Sequence, residues 1–447
     1  MSSLLNKIIK FLKQAIGIDS VPKIVAEAPT NMRIITQKDH NITREKISPN
    51  ALKVLYRLNK SKFSAYIVGG GVRDCLLGHE PKDFDIATNA SPEQVRRLFR
   101  NCRLIGKRFR LAHIYFKNEI IEVATFRKDD TESEASARAE TGIILRDNVY
   151  GSLEDDIWRR DFTINALYYN IADFSVLDYT GGMEDLKNGI IKIIGDPKKR
   201  YQEDPVRMLR AIRFAAKLGF VIDKHTEEPI TECKQLLYQI SNARLFDECL
   251  KLFLKGASSH TYTLLRQHQL FGCLFPETEK CLSNTEWHQI SHSFLFKLFE
   301  NTDDRIDNNK TVSPAFIFAA LLWLPIQVSQ QALVAKGIPI NQAFEDAMNQ
   351  VINDQIKVTA IPKRIIANIR EIWNMQNALE NYYSKRSFKL IHNLRFRAGY
   401  DFLCLRVNAE PNLLPVTQWW DTFINSSEKT RKKMCRQKKV NEDAGDI

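Results

Sequence analysis

The stretch from Ala65 to Ala87, AYIVGGGVRDCLLGHEPKDFDIA, constrains this chain more than any other. Tyr66 to Val68 is an apolar run of strand length that ends in three consecutive glycines, Gly69 to Gly71. Without a Cβ the backbone there can turn sharply and bring several N–H groups close to a ligand, which suits phosphate. Arg73 follows at the opening of an expected helix, Val72 to Leu77, where a guanidinium and a helix N-terminus both favour an anion. Then comes Asp83-Phe84-Asp85-Ile86. On a strand, residues i and i+2 share a face, so Asp83 and Asp85 stand side by side while Phe84 and Ile86 turn to the core. Adjacent carboxylates repel each other unless a cation lies between them. Hard oxygen ligands beside a phosphate-binding turn suit Mg²⁺, and a pair of such ions can activate a hydroxyl and neutralise a leaving pyrophosphate. The glycine run lacks the Gly-Lys-Ser/Thr ending of a Walker A loop and the spacing of a dinucleotide fingerprint. Its specificity lies in the combination with the paired aspartates.

The flanking segments build a small domain around this stretch. Ser48 and Pro49 start a helix, Asn50 to Lys60, whose Leu52, Leu55, Tyr56 and Leu58 are expected to pack on the central strand. Ser91-Pro92-Glu93 caps a second helix that runs to about Arg100. Arg103 to Ile105, Ala112 to Phe116 and Glu119 to Phe126 read as consecutive strands of a mixed sheet with the Asp83–Asp85 strand at its centre. Glu122, between apolar neighbours, either faces solvent or is directed at a metal; His113 reads as a packed strand histidine. Lys128 to Glu140 is polar and aperiodic, a loop near the site. Ser152 caps a helix through Trp158, followed by Arg159-Arg160-Asp161-Phe162-Thr163-Ile164-Asn165-Ala166-Leu167, either a surface ion cluster or part of the site. In Glu203-Asp204-Pro205-Val206-Arg207-Met208-Leu209-Arg210-Ala211-Ile212-Arg213-Phe214, a helix that is apolar on most sides carries an arginine at every third position. Half-buried arginines need anionic partners, here either carboxylates such as Glu203 or a bound triphosphate.

The remaining composition is consistent with a multidomain protein that handles a polyanion. At 447 residues the chain exceeds one ordinary core, and its net charge of +12 points to nucleic acid or an acidic membrane surface. Its 8 cysteines show no CxxC and no clustering with histidine, which speaks against zinc sites and disulfides and for a reducing cytoplasm. No apolar run approaches the roughly 20 residues that a membrane span needs. Residues 1–17 place Leu4, Leu5, Ile8, Ile9, Leu12 and Ile16 at helical spacing with lysines between them, a terminal helix that packs on its own protein or rests on a membrane surface. Asp19 to Lys38 reads as a linker. From Phe220 onward strand signals stop, and helical patterns alternate with breaks such as Asn301 to Asp304 and Gly337 to Pro339. Lys429 to Lys439 packs 7 basic residues, either a solvated tail or one that tracks an RNA backbone.

GGGVRDCLLG followed by KDFDIAT, with RRDFTINAL and EDPVRMLRAIRF, resembles the signature of the class II nucleotidyltransferases. This polymerase β-like group contains bacterial poly(A) polymerases and CCA-adding tRNA nucleotidyltransferases. The resemblance is densest from about residue 40 to 255 and continues loosely to about 420. Gly106-Lys107-Arg108-Phe109-Arg110-Leu111-Ala112-His113 and the triple glycine look like the poly(A) polymerase branch. The resemblance implies an α+β chain, a small mixed-sheet catalytic head followed by all-helical neck, body and tail. The expected ranges are 1–38 for the N-terminal helix and linker, 39–195 for the head, 196–258 for the neck, 259–424 for the body and 425–447 for the basic tail. It also implies template-independent transfer of AMP from ATP to RNA 3′ ends with a two-Mg²⁺ site on Asp83, Asp85 and Glu122. Gly70, Arg73 and Arg160 would cradle the nucleotide, Asp161 would be catalytic and help hold the ribose, Asp204 and Arg207 would read the base, and Arg210 and Arg213 would face the phosphates. A carboxylate and a guanidinium can read the amine edge of adenine or of cytosine, so CCA addition stands as the alternative, with a non-catalytic RNA-binding relative behind it. The expected partners are RNA, ATP and RNA-decay machinery, the expected state a cytoplasmic monomer. The basic extension is short, which sets apart any contact that a longer tail would make.

Overall fold

The computed structural model describes residues 32–106, 110–128, 150–285, 287–382 and 386–435. The segment expected to form an amphipathic N-terminal helix, Lys107 to Phe109 of the branch-like segment, the expected loop beyond Lys128 and the end of the basic tail lie outside these residues.

Eight strands form the head sheet: β1 (Arg33–Ile35), β2 (Ala65–Val68), β3 (Asp85–Thr88), β4 (Cys102–Ile105), β5 (Leu111–Phe116), β6 (Glu119–Thr125), β7 (Leu167–Asn170) and β8 (Val176–Asp178). Their order is β1-β8-β7-β2-β3-β6-β5-β4, so the strand that begins at Asp85 is central, as the sequence predicts. Among the described residues every neighbouring pair in this sheet is antiparallel except β3 and β6, which run parallel with Asp85 opposite Glu122. β1 falls within the segment expected to be linker. It is three residues long with Arg33 and Ile34 exposed, too short to carry a readable alternation.

Helices cover the sheet where capping chemistry starts them. α1 (Pro49–Lys60) begins at Ser48, whose side chain accepts from the Asn50 N–H, and buries Ala51, Leu52, Val54, Leu55 and Leu58. Tyr56 does not join that core: it is 39% exposed and lies under the Arg44 guanidinium, 5.3 Å from the ring centre. α2 (Gly70–Leu76) starts two residues earlier than expected, directly after Gly69, whose φ of 68° lies in the left-handed region. α3 (Pro92–Leu98) and α4 (Leu153–Trp158) each open with a capping box, Ser91 with Gln94 and Ser152 with Asp155. α5 (Gly182–Asn188) packs against the turn at Thr163–Asn165.

The neck follows. α6 (Pro197–Glu203) leads into α7 (Val206–Leu218), which buries Val206, Met208, Leu209, Ala211, Ile212, Ala215 and Ala216. Strand signals do not end at Phe220: β10 (Val221–Ile222) pairs in parallel with β9 (Ile190–Ile191) and ties the neck to the end of the head. Two residues per strand leave no pattern to read. α8 (Lys224–Cys233) and α9 (Asn242–Phe253) complete the neck.

Beyond them the described chain is helical around an aromatic core that includes Phe253, Phe271, Phe275, Phe299, Phe318 and Trp373. The indole of Trp373 donates to the Ala319 carbonyl at 3.0 Å. The break expected at Asn301 to Asp304 lies inside one helix, His288–Asp307, where the buried Thr302 hydroxyl donates to the Leu298 carbonyl and so does not interrupt it. The break at Gly337 to Pro339 is present. A smaller aromatic core gathers Leu379, Phe396, Tyr400, Trp420 and Phe423 near the end of the chain. There Arg431 donates to the carbonyls of Phe423 (2.7 Å) and Ile424 (2.6 Å), while Lys429, Lys432 and Lys433 of the same basic segment are exposed. All eight cysteines are unpaired. Among the described residues no single helix is long and apolar enough to cross a membrane.

The packing of α5 on the Thr163 turn is tight enough to test. A Cβ at Gly182 would sit 2.3 Å from the Thr163 carbonyl oxygen, a backbone atom that cannot rotate aside. Gly182→Ala should destabilise the head by about 1–3 kcal/mol, read as a lower midpoint in thermal or urea unfolding. An unchanged midpoint would contradict the packing described.

Candidate active site

The carboxylates of the site come from adjacent strands. Phe84 and Ile86 are buried and Asp83 and Asp85 are exposed, so the alternation read from the sequence is realised. Antiparallel pairing sets Val68, the last residue before the glycines, opposite Asp85, and parallel pairing sets Asp85 opposite Glu122. Glu122 is 40% exposed, and its Oε2 lies 3.3 Å from Nε2 of His113, its cross-strand partner on β5. The Asp85 carboxyl touches solvent, but the protein around it and then the negative charge of Glu122 push it up to about 6, with Asp83 adding to the rise and Arg160 opposing it.

That mutual repulsion is what a cation would relieve, and the donors are hard oxygens, so the set fits Mg²⁺ in chemistry. The three carboxylates are neighbours without converging on one point. Among the described residues no group of three or more His, Cys, Asp or Glu is gathered closely enough to hold an ion as it stands.

The glycines bring helix and strand together. A Cβ at Gly71 would meet the Asp83 carbonyl oxygen and the Phe84 ring, each at 3.4 Å, so the missing side chain lets α2 lie against the backbone that carries the aspartates. A Cβ at Gly69 would come 3.5 Å from Nη1 of Arg160, and one at Gly70 would come 3.6 Å from Nη2 of Arg73. Both arginines therefore lie just beneath the turn.

Neither arginine is free. Arg73 is buried; its Nε and Nη2 donate to Asp74 Oδ1 (2.9 and 2.6 Å) and its Nη1 to Asn165 Oδ1 (2.8 Å). Arg160 donates from Nε to the Tyr168 hydroxyl (2.6 Å), from Nη2 to Asp156 Oδ2 (3.2 Å) and from Nη1 to the Asn165 carbonyl (3.3 Å). Tyr168 in turn donates to Asp156. Burial opposes the charge on Arg160, but Tyr168 and Asp156 outweigh it, so the guanidinium stays protonated.

Asp161 has both oxygens engaged. Oδ1 accepts from the Phe162 N–H (2.8 Å) and from Asn165 Nδ2 (3.2 Å), and Oδ2 accepts from Arg210 Nε (2.6 Å) and Nη2 (2.5 Å). A ribose hydroxyl would use the lone pairs that these contacts leave.

On the neck, the expected partners Asp204 and Arg207 are each held by another residue. Asp204 Oδ2 accepts from Arg244 Nη2 of α9 (2.7 Å), while Arg207 Nη1 donates to the Arg200 carbonyl (2.8 Å) and to Glu203 Oε2 (2.9 Å). Pairing with Glu203 is the carboxylate alternative left open by the sequence. Arg213 lies 3.8 Å from Glu248, and burial followed by the nearby Arg210 charge lowers its affinity for the proton. The guanidiniums of Arg73, Arg210 and Arg213 all lie 5.1 Å from the centre of one ring, Phe214.

The sequence left Asn165, Tyr168, Asp156, Phe214, Arg244 and Glu248 without roles. Asn165 and Phe214 stand inside quoted motifs and were within reach. Tyr168 bonds Asp156 across 12 residues of chain, Glu248 faces Arg213 across 35 and Arg244 bonds Asp204 across 40, and no local pattern marks those pairings.

An Asp-x-Asp pair leading into a central strand, a glycine turn over buried arginines and a helical neck that closes on them define a nucleotidyltransferase. A model of the poly A polymerase head domain matches residues 65–192, one of the probable RNA and SrmB-binding site of polymerase A matches 219–282, and one of the polymerase A arginine-rich C-terminus matches 336–445. The chain belongs to the poly(A) polymerase family. It is 47% identical to Poly(A) polymerase I of Salmonella typhi over 439 residues, 97% of this chain and 94% of that one. It is 46% identical to Poly(A) polymerase I of Escherichia coli O6:H1 over the same shares. The CCA-adding enzyme of Bacillus subtilis is 39% identical over 246 residues, 54% of this chain and 60% of its own. The crystal structure of the Bacillus stearothermophilus CCA-adding enzyme in complex with CTP has a similar fold, with a TM-score of 0.57 and 24% identity over 83% of this chain and 81% of that one.

The carboxylate cluster makes a direct prediction. Asp83→Asn and Asp85→Asn should leave unfolding unchanged or slightly improved, because each removes a repelled charge, while turnover falls by about three orders of magnitude or more. Turnover near that of the unmutated enzyme in either folded variant would remove the carboxylates from the chemistry.

Proposed function

We propose that this enzyme, a polynucleotide adenylyltransferase by family, carries out template-independent addition of AMP to RNA 3′-hydroxyls at the turn between β2 and α2. The observation that carries the placement is the register that sets Asp85 between Val68 and Glu122, with Arg160 beneath Gly69. Asp83, Asp85 and Glu122 would hold Mg²⁺; when bound, it would supply the charge that acidifies the attacking hydroxyl and neutralises the pyrophosphate. Gly70, Arg73 and Arg160 bind the nucleotide's phosphates, and the hydrogen bonds already made by both guanidiniums keep them from rearranging when ATP arrives. Asp161 orients the ribose. Asp204 and Arg207 read the base edge, accepting from the adenine amine and donating to its N1. Arg210 and Arg213, further along α7, would face the phosphates.

RNA is held along the neck, where the match to a probable RNA-binding site falls, and the net charge of +12 suits it. The eight unpaired thiols suit a reducing cytoplasm. CCA addition is not favoured: the CCA-adding relative from Bacillus subtilis aligns with 54% of the chain, and the Salmonella typhi poly(A) polymerase with 97%.

An unstructured RNA oligonucleotide, Mg²⁺ and each NTP separately, resolved on a sequencing gel, tests the reading. Long oligo(A) should form with ATP, with short or slow addition from CTP and none from GTP or UTP. Addition of two cytidines and then one adenosine, confined to tRNA-like ends, would replace it.

A further inference from the structure

Asn165 occupies a position that asks its side chain for an acceptor on one side and a donor on the other. It ends the single turn Thr163–Asn165 and is buried. Its Oδ1 accepts from Arg73 Nη1 at 2.8 Å, its Nδ2 donates to Asp161 Oδ1 at 3.2 Å, and its main-chain carbonyl accepts from Arg160 Nη1 at 3.3 Å. The first contact needs an acceptor and the second a donor. Among side chains of this length an amide has one at each end without needing an added proton, and its orientation follows, since the flipped amide would set like against like at both contacts. Asp161 passes the link on to Arg210 of the neck through Oδ2. Arg73, Asn165, Asp161 and Arg210 thus form one connected line from the glycine helix to the neck helix, with Arg160 branching from its middle.

We propose that Asn165 is a positioning residue for adenylyl transfer: it sets the spacing among Arg73, Arg160 and Asp161 without itself touching the nucleotide. The inference rests on the placement of those three residues on ATP given above. The physical reason is rigidity. Arg73 is also held by Asp74, Arg160 by Tyr168 and Asp156, and Asp161 by Arg210, but Asn165 bonds to all three and so ties their separations to one another.

Substitution separates this role from simple packing. Asn165→Asp preserves size and the bond to Arg73 but places a second carboxyl against Asp161, where the two repel unless a proton is shared between them. That proton restores a donor towards Asp161. The other charged groups facing the position are the guanidiniums of Arg73, Arg160 and Arg210 and the carboxylate of Asp161, which burial pushes up and Arg210, Asn165 and the Phe162 N–H together hold down. Asn165→Ala loses both side-chain bonds and gains no titrating group.

The experiment measures KM for ATP and kcat from pH 6 to pH 9, as ratios to the unmutated enzyme at each pH, with melting temperatures alongside. Asn165→Asp should raise KM by about tenfold or more at high pH, and the ratio should fall towards one as the pH drops. Asn165→Ala should raise KM by an amount that does not change with pH. A flat ratio near one for Asn165→Asp, or a loss confined to melting temperature in both variants, would overturn the inference. Arg73→Lys, assayed in parallel, separates the two levels of the argument. A raised KM there with an unaltered KM in Asn165→Asp overturns the role of Asn165 alone, whereas unaltered KM in both overturns the placement of Arg73 on the nucleotide and the inference with it.

Discussion

Asp161 belongs to the head and Arg210 to the first long helix of the neck, and the ion pair between them is the contact on which the rest of the site depends. The Asp161 side chain is 13% exposed and that of Arg210 31%. Burial pushes the carboxyl of Asp161 up, but Arg210, Asn165 and the Phe162 N–H together hold it below the usual carboxylate range. Its folded pKa is thus lower than its unfolded one. The pair contributes stability that is present above the unfolded value near ~3.9 and is lost as pH falls through the folded value. Breaking a pair of this kind from one side leaves a charge without a partner and costs about 3–5 kcal/mol. Across it, the position of α7 is imposed on Asp161, then on Asn165, and then on Arg73 beneath the glycine turn.

The charge architecture around this joint is asymmetric, and the asymmetry is the chemistry. Arg73, Arg160, Arg207, Arg210 and Arg213 each have a carboxylate within reach, respectively Asp74, Asp156, Glu203, Asp161 and Glu248. Asp85 has the reverse environment, with Glu122 and Asp83 raising its pKa and Arg160 only partly offsetting them. On the function proposed above, a protein with its cations paired and its carboxylates crowded would take up a divalent ion and a polyphosphate together, each neutralising what the other brings.

The centre of this arrangement was legible in the sequence because it is local. Gly69 to Gly71, Asp83 and Asp85 are linked by strand alternation and a short turn, rules that act over a few residues. The helices that cover the sheet were readable from Ser48, Ser91 and Ser152, whose caps operate over three or four positions. What the sequence did not disclose depends on distant pairing. The opposition of Asp85 and Glu122, which the family resemblance implied and no local pattern could show, follows from a parallel register across 37 residues, and the Asp204–Arg244 bond spans 40. β1 and β10 were missed because a strand of two or three residues has no period. Tyr56 satisfied the helical spacing of a core residue yet faces Arg44 instead, since an aromatic ring with a polar tip is stable at either position. The arginine helix was ambiguous for a related reason: a stripe of guanidiniums has the same sequence whether carboxylates or phosphates face it.

The claim that head and neck form one nucleotide pocket through the Asp161–Arg210 pair is tested most directly by a double-mutant cycle on ATP affinity. Asp161→Asn, Arg210→Gln and the double variant would be titrated with ATP and Mg²⁺ by calorimetry. If the pair is the joint, each single substitution leaves a partner charge uncompensated, and the double variant should lose less affinity than the two singles together, by about 1 kcal/mol or more. Strictly additive losses would mean that Asp161 and Arg210 meet the nucleotide independently, and would contradict the account.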